Sequence, residues 1–150
     1  RYDPEALLNR LYNVKTFEDV YYLLGDIHDA VIDTIIHKVK ADAETKYKAL
    51  VDFGMVMGAI YALLDTYLFS KEVTPVSSYG LRADVIGSIK DIIDTYTALK
   101  KGKPLDQVRY DFSRIQVSVE SDIRRFYRFL EDYHINKPKE QLKEQKPMEF

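Results

Sequence analysis

Residues 49–69 constrain this chain more than any other stretch, because they are apolar on nearly every side. A surface helix needs only one apolar stripe, whereas a helix apolar all round must be covered all round, by protein or by lipid. At about 1.5 Å per residue the stretch is ~30 Å long, close to the thickness of a bilayer core. Asp52 and Asp65 lie inside it, however, and each costs roughly 2.5–3.5 kcal/mol at mid-membrane. The sequence therefore predicts the buried helix of a soluble bundle and no transmembrane span. Gly54, Gly58 and Ala62 recur one turn apart. A helical glycine costs about 1 kcal/mol against alanine, so the pair predicts close backbone approach to a neighbouring helix. In lipid the same Gly-x-x-x-Gly spacing marks helix dimerisation.

The flanking sequence reads as helices throughout. Asp3 as cap, Pro4 in the first turn and Glu5 at the positive end of the dipole start a short helix over 4–12. Thr16 with Asp19 three residues on starts a second, whose inner face carries Phe17, Val20, Leu24, Ile27, Val31, Ile35 and Val39. No Gly or Pro marks the next boundary, near residue 42. A single helix from 17 to 70 would be about 80 Å long, so the sequence favours a tight corner with Asp42 capping the central helix, 43–70. Residues 71–81 read as a loop, from Pro75, Ser77, Ser78 and Gly80. A fourth helix, 81–101, ends where Gly102 supplies a left-handed position and Pro104 forbids continuation. The fifth, from Pro104 to about His134, repeats apolar residues at spacings of 3 and 4 from Leu105 to Tyr133. Residues 135–150 alternate Lys and Glu around Pro138 and Pro147 and read as a polar tail, with Met148 and Phe150 as anchors for another subunit. No strand pattern and no repeat is visible. The expected fold is all-α: an antiparallel four-helix bundle with a short leading helix, one domain over 1–134, and a C-terminal tail over 135–150.

Charge is informative by segment rather than in total. The net charge is −2, which gives no global case for a polyanionic partner. Residues 17–45 hold seven acids (Glu18, Asp19, Asp26, Asp29, Asp33, Asp42, Glu44) against Lys38 and Lys40, net −5. Residues 100–128 hold eight bases (Lys100, Lys101, Lys103, Arg109, Arg114, Arg124, Arg125, Arg128) against Asp106, Asp111, Glu120 and Asp122, net +4. One acidic and one basic edge follow. They are either two solvated faces, or they meet within one chain, or they join copies head to tail, with Asp26, Asp29 and Asp33 on the acidic side.

Catalytic signals are sparse. There is no Cys, which removes disulfides, thiolate metal sites and Cys nucleophiles. No Gly-rich phosphate loop, nucleophile elbow, zinc spacing or paired catalytic Glu is present, and no cofactor or metal is expected. Asp26, Asp29, Asp33 and His37 align on one helix face, but that face points away from the apolar stripe, so it reads as a solvated acidic surface. His28 borders the apolar side as a partly buried residue. Arg114, Arg124, Arg125 and Arg128, with Lys100, Lys101 and Lys103 at the adjoining turn, are candidates for contact with nucleic-acid phosphates. No base-reading motif accompanies them, so such contact would address the backbone of DNA or RNA.

Two resemblances bear on function. Arg128-Phe129-Leu130-Glu131-Asp132-Tyr133-His134 resembles the Arg-x(4–6)-His motif of HEPN-type ribonucleases, which implies Arg128 and His134 as catalytic residues in a paired RNA-cleaving site; the alternative reading is such a ribonuclease or a small helical subunit of an RNA-processing complex. Tyr precedes the His here, whereas that family usually has it after. The layout as a whole, over residues 4–134, is similar to the helical-bundle coat proteins of filamentous and rod-shaped archaeal viruses. That resemblance implies a non-enzymatic, self-associating subunit, in a virion or in the cytoplasm, that contacts nucleic-acid backbone. Those coats tend to be basic and use an N-terminal arm. Here only Arg1, Arg10 and Lys15 are basic in the first 16 residues, so the Arg face of the last helix would carry that contact. The chain opens on Arg1, as a processed or trimmed product would, with nothing resembling a signal peptide. Gly54, Gly58 and Ala62 complete the expected assembly surface. An ordinary bundle helix has one wet face, and residues 53–64 offer almost none. Either the leading helix and the 71–81 loop cover the central helix, or a second chain does.

Overall fold

In the computed structural model, residues 2–73, 80–136 and 149–150 are described, the side chains of 133–136 excepted. Five α-helices pack together: α1 (Pro4–Tyr12), α2 (Phe17–Asp33), α3 (Ala43–Val73), α4 (Leu81–Lys100) and α5 (Leu105–Asn136). Among the described residues there is no strand, only one isolated bridge between Thr16 and Glu149.

Local chemistry explains most of the boundaries. Pro4 opens α1, but the Asp3 side chain makes no cap bond, contrary to expectation. A preset proline φ starts this helix without it, and the Asp3 carbonyl accepts the first helical bond from the Leu7 N–H at 3.0 Å. At α2, Thr16 and Asp19 form the expected reciprocal box. The Thr16 hydroxyl accepts from the Asp19 N–H at 3.1 Å, and the Asp19 carboxylate accepts from the N–H groups of Thr16 and Lys15 at 3.1 and 2.9 Å. Those two backbone donors hold the Asp19 carboxyl below its usual value.

The corner near residue 42 forms as the capping residue indicates. α2 widens into a π-helical turn over Thr34–Lys38, in which the Val39 N–H reaches the Thr34 carbonyl at 3.0 Å. The chain then goes extended at Val39, so Val39 is not the last inward residue of a helix. Asp42 caps α3 by accepting from the Thr45 N–H at 2.7 Å, and Lys46 Nζ donates back to the Ile36 carbonyl at 2.9 Å. At the end of α4, the N–H of Lys103 bonds to Ala98 and that of Gly102 to Leu99, at 3.0 and 3.1 Å. Gly102 sits at φ 98°, a left-handed conformation that glycine alone adopts cheaply.

The core is continuous. α3 contributes Phe53, Val56, Ile60, Leu63, Leu64 and Tyr67, and α5 contributes Val108, Phe112, Ile115, Val119 and Phe126. α3 packs most extensively on α5, and α4 on α5. Phe53 meets Phe112 at 5.3 Å between ring centroids. The α3 hydroxyls inside this core are satisfied locally: Thr66 donates to the Ala62 carbonyl and Ser70 to that of Tyr67. α1 inserts Leu7 and Leu11 and packs on α4 and, to a lesser extent, α2. The leading helix therefore does not cover the outer side of α3. Of the 71–81 loop, residues 74–79 lie outside the described part.

The far end of the chain returns to the body. Phe150 is buried, at 6% exposure, and its ring meets Phe17 and Tyr67 at 5.4 and 5.3 Å. Phe150, expected from sequence to anchor on another subunit, here seats on its own chain. Met148 lies outside the described residues.

Candidate assembly surface

α3 is apolar on all sides by sequence, so its pattern selects no face to leave open. Packing makes the choice. α2 takes one flank, where His28 stacks on Phe53 at 5.7 Å between ring centroids. α5 takes the other, where Arg109 Nε donates to the Asp52 carboxylate at 2.7 Å. Besides the charged Lys48 and the two ends of the helix, what remains exposed is Tyr47, Val51, Gly54, Met55, Gly58, Ala62, Asp65 and Phe69. At 100° per residue these eight fall within a sector of about 100°, and they run ~33 Å along the axis. Tyr47 is 66% exposed, Met55 53%, Val51 43% and Phe69 38%.

This arrangement corrects the expectation for the glycine pair. A Cβ built on Gly54 or Gly58 meets nothing within 4 Å. Among the described residues no neighbouring helix approaches them, and Ala62 beside them is exposed as well. The small residues instead form a shallow trough flanked by Val51, Met55 and Phe69. By length and composition α3 is also able to cross a membrane.

The trough contains one charge. Asp65 accepts a short hydrogen bond from the Tyr21 hydroxyl of α2. Burial first, and then this bond, push the Tyr21 phenol up to about 12. Tyr21 in turn stacks on Tyr61, with centroids 6.1 Å apart. Tyr21 therefore stays a donor across the whole neutral range and keeps the Asp65 carboxylate engaged at the margin of the trough.

The charged edges are largely consumed inside the chain. Asp26 pairs with Arg10 of α1 at 2.5 Å, so it ties two helices together and does not face outward as an assembly residue. Asp33 lies 3.9 Å from Lys38, and Asp29 lies beside His28, which is exposed and not partly buried as its position suggested. Asp29, Asp33, Lys38 and Lys100 line one polar cleft with Tyr2 and Tyr96, so acidic and basic edges meet within one molecule at that point. Among the described residues, no group of three or more acidic or His side chains is placed to hold a metal ion.

The basic candidates do not form one patch. Lys103 pairs with Asp111 at 2.6 Å, and Lys100 sits over the Tyr96 ring at 5.5 Å. Lys101 is exposed. This turn is about 35 Å along α5 from Arg128. Arg125 is committed to Asp84 of α4 and to Asp122. Arg124 reaches Glu120 only at 4.0 Å. Arg114 and Arg128 are exposed and make no ion pair among the described residues. Together with Tyr110, Val117 and Arg124 they form a single outward stripe on α5. The side chain of His134 lies outside the described residues, so no Arg128–His134 arrangement is placed.

Sequence reasoning missed Tyr47, Val51, Met55 and Phe69 as surface residues. A helix with apolar residues on every side carries no signal that identifies its open sector. Comparison of the chain with protein-family models, with curated proteins and with solved structures found no match.

Proposed function

We propose that this chain is a non-enzymatic assembly subunit. In this reading α2–α5 form an antiparallel four-helix bundle, α1 is a side helix, and copies associate through the open face of α3. The observation that carries the reading is the trough itself. Exposed valine, methionine and phenylalanine flank two glycines whose missing Cβ atoms serve no contact among the described residues. An exposed apolar strip of a few hundred Å² matches the largest patch on a typical monomer, and such patches are often functional. The width that glycine leaves suits close approach of another helix backbone. The matching surface most readily available is the same face of a second copy, which gives a two-fold, self-complementary contact. The outward stripe of Arg114, Arg124 and Arg128 supports the finer reading of a coat-like or nucleoprotein subunit that contacts nucleic-acid backbone.

The test is light scattering coupled to size-exclusion chromatography over a range of protein concentrations, with Gly58→Glu as the probe. A Cβ at position 58 meets nothing within 4 Å, so the variant is expected to fold. Wild type is expected to associate and Gly58→Glu to remain monomeric with an unchanged circular dichroism spectrum. A wild type that is monomeric at every concentration overturns the reading. So does co-flotation with neutral phospholipid vesicles that Gly58→Glu abolishes, because it would assign the same face to lipid.

A further inference from the structure

The seat of Phe150 is built as a receptor. Three element ends meet there: the start of α2, the end of α3 and the start of α4. The Phe150 N–H donates to the Lys15 carbonyl at 3.1 Å. The Phe150 carbonyl accepts from the Tyr67 hydroxyl at 2.7 Å and from Arg82 Nε at 3.3 Å. The Glu149 carbonyl accepts from Lys71 Nζ at 2.6 Å. The Phe150 ring is boxed by Phe17 and Tyr67, with the Arg82 guanidinium 5.1 Å from its centroid. Four main-chain hydrogen bonds and one ring pocket thus hold two consecutive residues in extended form. This is how a short linear motif is read by strand pairing and an aromatic pocket. None of these holding residues belongs to α5, the helix that carries the segment. Such a seat is indifferent to which chain supplies the two residues.

The area available on α3 bears on which chain that is. A strip ~33 Å long and about 10 Å wide offers roughly 330 Å² per copy, under half of the ~800 Å² per partner in a standard stable interface. A transferred phenylalanine adds about 150–250 Å², and the directional main-chain bonds come with it. Exchange of an identical segment between copies introduces no contact that the single chain lacks.

We propose that this seat is the receptor half of a clip between subunits, filled in the assembly by Glu149 and Phe150 of a second copy. The inference rests on the self-association proposed above. The segment closes on its own chain when copies are dilute. When neighbours are held at high effective concentration, the same bonds link one bundle to the next.

Isotope-mixed photocrosslinking tests this. Full-length chain of natural isotope content, with p-benzoylphenylalanine replacing the exposed Glu149, is mixed with an equal amount of ¹⁵N-labelled chain that lacks the photoprobe. The mixture is irradiated at concentrations where light scattering reports assembly. The expected product joins the light segment to heavy peptides containing Phe17, Tyr67 or Arg82 about as often as to light ones. Adding Phe150→Ala to the photoprobe chain should lower both products severalfold. An assembled sample that yields only light-to-light products overturns the clip and leaves self-association standing. Mixed products that persist when both chains carry Gly58→Glu uphold the clip and remove the α3 face from the assembly. A sample that is monomeric throughout, with light-to-light products alone, overturns both.

Discussion

α3 carries two apolar surfaces that meet opposite fates. At its C-terminal end, Tyr67 is covered by Phe150 from the far end of the sequence. Along its middle, on another side, Val51 and Met55 lie open beside Gly54 and Gly58, and Phe69 continues that open face past Tyr67. The covered surface is aromatic and ringed by donors, with Tyr67, Lys71 and Arg82 all aimed at main-chain carbonyls. The open one has small residues at its centre and almost no polar handles. An extended pair of residues with a single apolar ring is held by directional bonds. A rigid helix backbone needs none and requires only room to approach. The contrast teaches that the two surfaces suit different kinds of occupant, an extended strand on one and a helix on the other.

The sharpest way to break the contrast is charge in the trough. Gly58→Glu places a carboxylate where a second helix would lie, and burying an unpaired charge costs roughly 2–5 kcal/mol. Association should weaken by more than ~30-fold, measured by sedimentation equilibrium, with the melting temperature of the isolated chain nearly unchanged. Next in size is the covered surface. Phe150→Ala should lower unfolding stability by about 3 kcal/mol, at the low end for a buried phenylalanine, read from urea denaturation. A loss under ~1 kcal/mol would mean that the seat contributes little to the fold.

Gly54→Ala and Gly58→Ala separate the two roles of the glycines. With no contact to disturb, each should stabilise the monomer by up to ~1 kcal/mol through helix propensity, while association weakens. Stabilisation without any loss of association would show that the small side chains serve no contact. Charge reversal at Arg114 and Arg128 should reduce affinity for single- or double-stranded nucleic acid and lower the salt slope by about 1 for each charge removed. Unchanged binding would remove the α5 stripe from that role. The smallest effect concerns Tyr21. Its folded-state pKa, near 12, lies above the usual 10, so between those values the unfolded chain has lost a proton that the folded chain retains. Stability contributed by this group is complete below pH 10 and declines as pH rises towards 12. Wild type should therefore lose more stability than Tyr21→Phe across that window in equilibrium unfolding.

What the sequence made legible was local. The Thr16–Asp19 box, the Asp42 cap, and the Gly102–Pro104 stop each depend on residues within one turn of one another, and each formed at the expected place. Most inward residues of α2 and α5 followed from period alone, because those helices are amphipathic, although Leu23 and Ala30 of α2 are buried beyond the expected stripe. α3 is not, and a helix without a polar side leaves its orientation to its neighbours. The glycine pair was for that reason read as packed when it lies open. The committed ion pairs were hidden for a related reason. Arg124 and Arg125 are adjacent in sequence, yet one side of α5 faces Asp84 and the other faces solvent. The seat of Phe150 joins residues more than sixty positions apart, a pairing that no window of the sequence contains.

The widened turn at Thr34–Lys38 has a separate consequence for how this chain tolerates change in length. A π turn holds one residue more than an α turn in the same span, and the non-helical residues 39–42 follow it directly. A single insertion or deletion within 39–42 would be taken up between the two helices without rotating the buried face of either, whereas buried Thr34 and Ile35 tie the π turn itself to the core. An indel anywhere inside α3 would instead turn its apolar trough away from the surface. The corner, not the long helices, is where the sequence is free to drift in register.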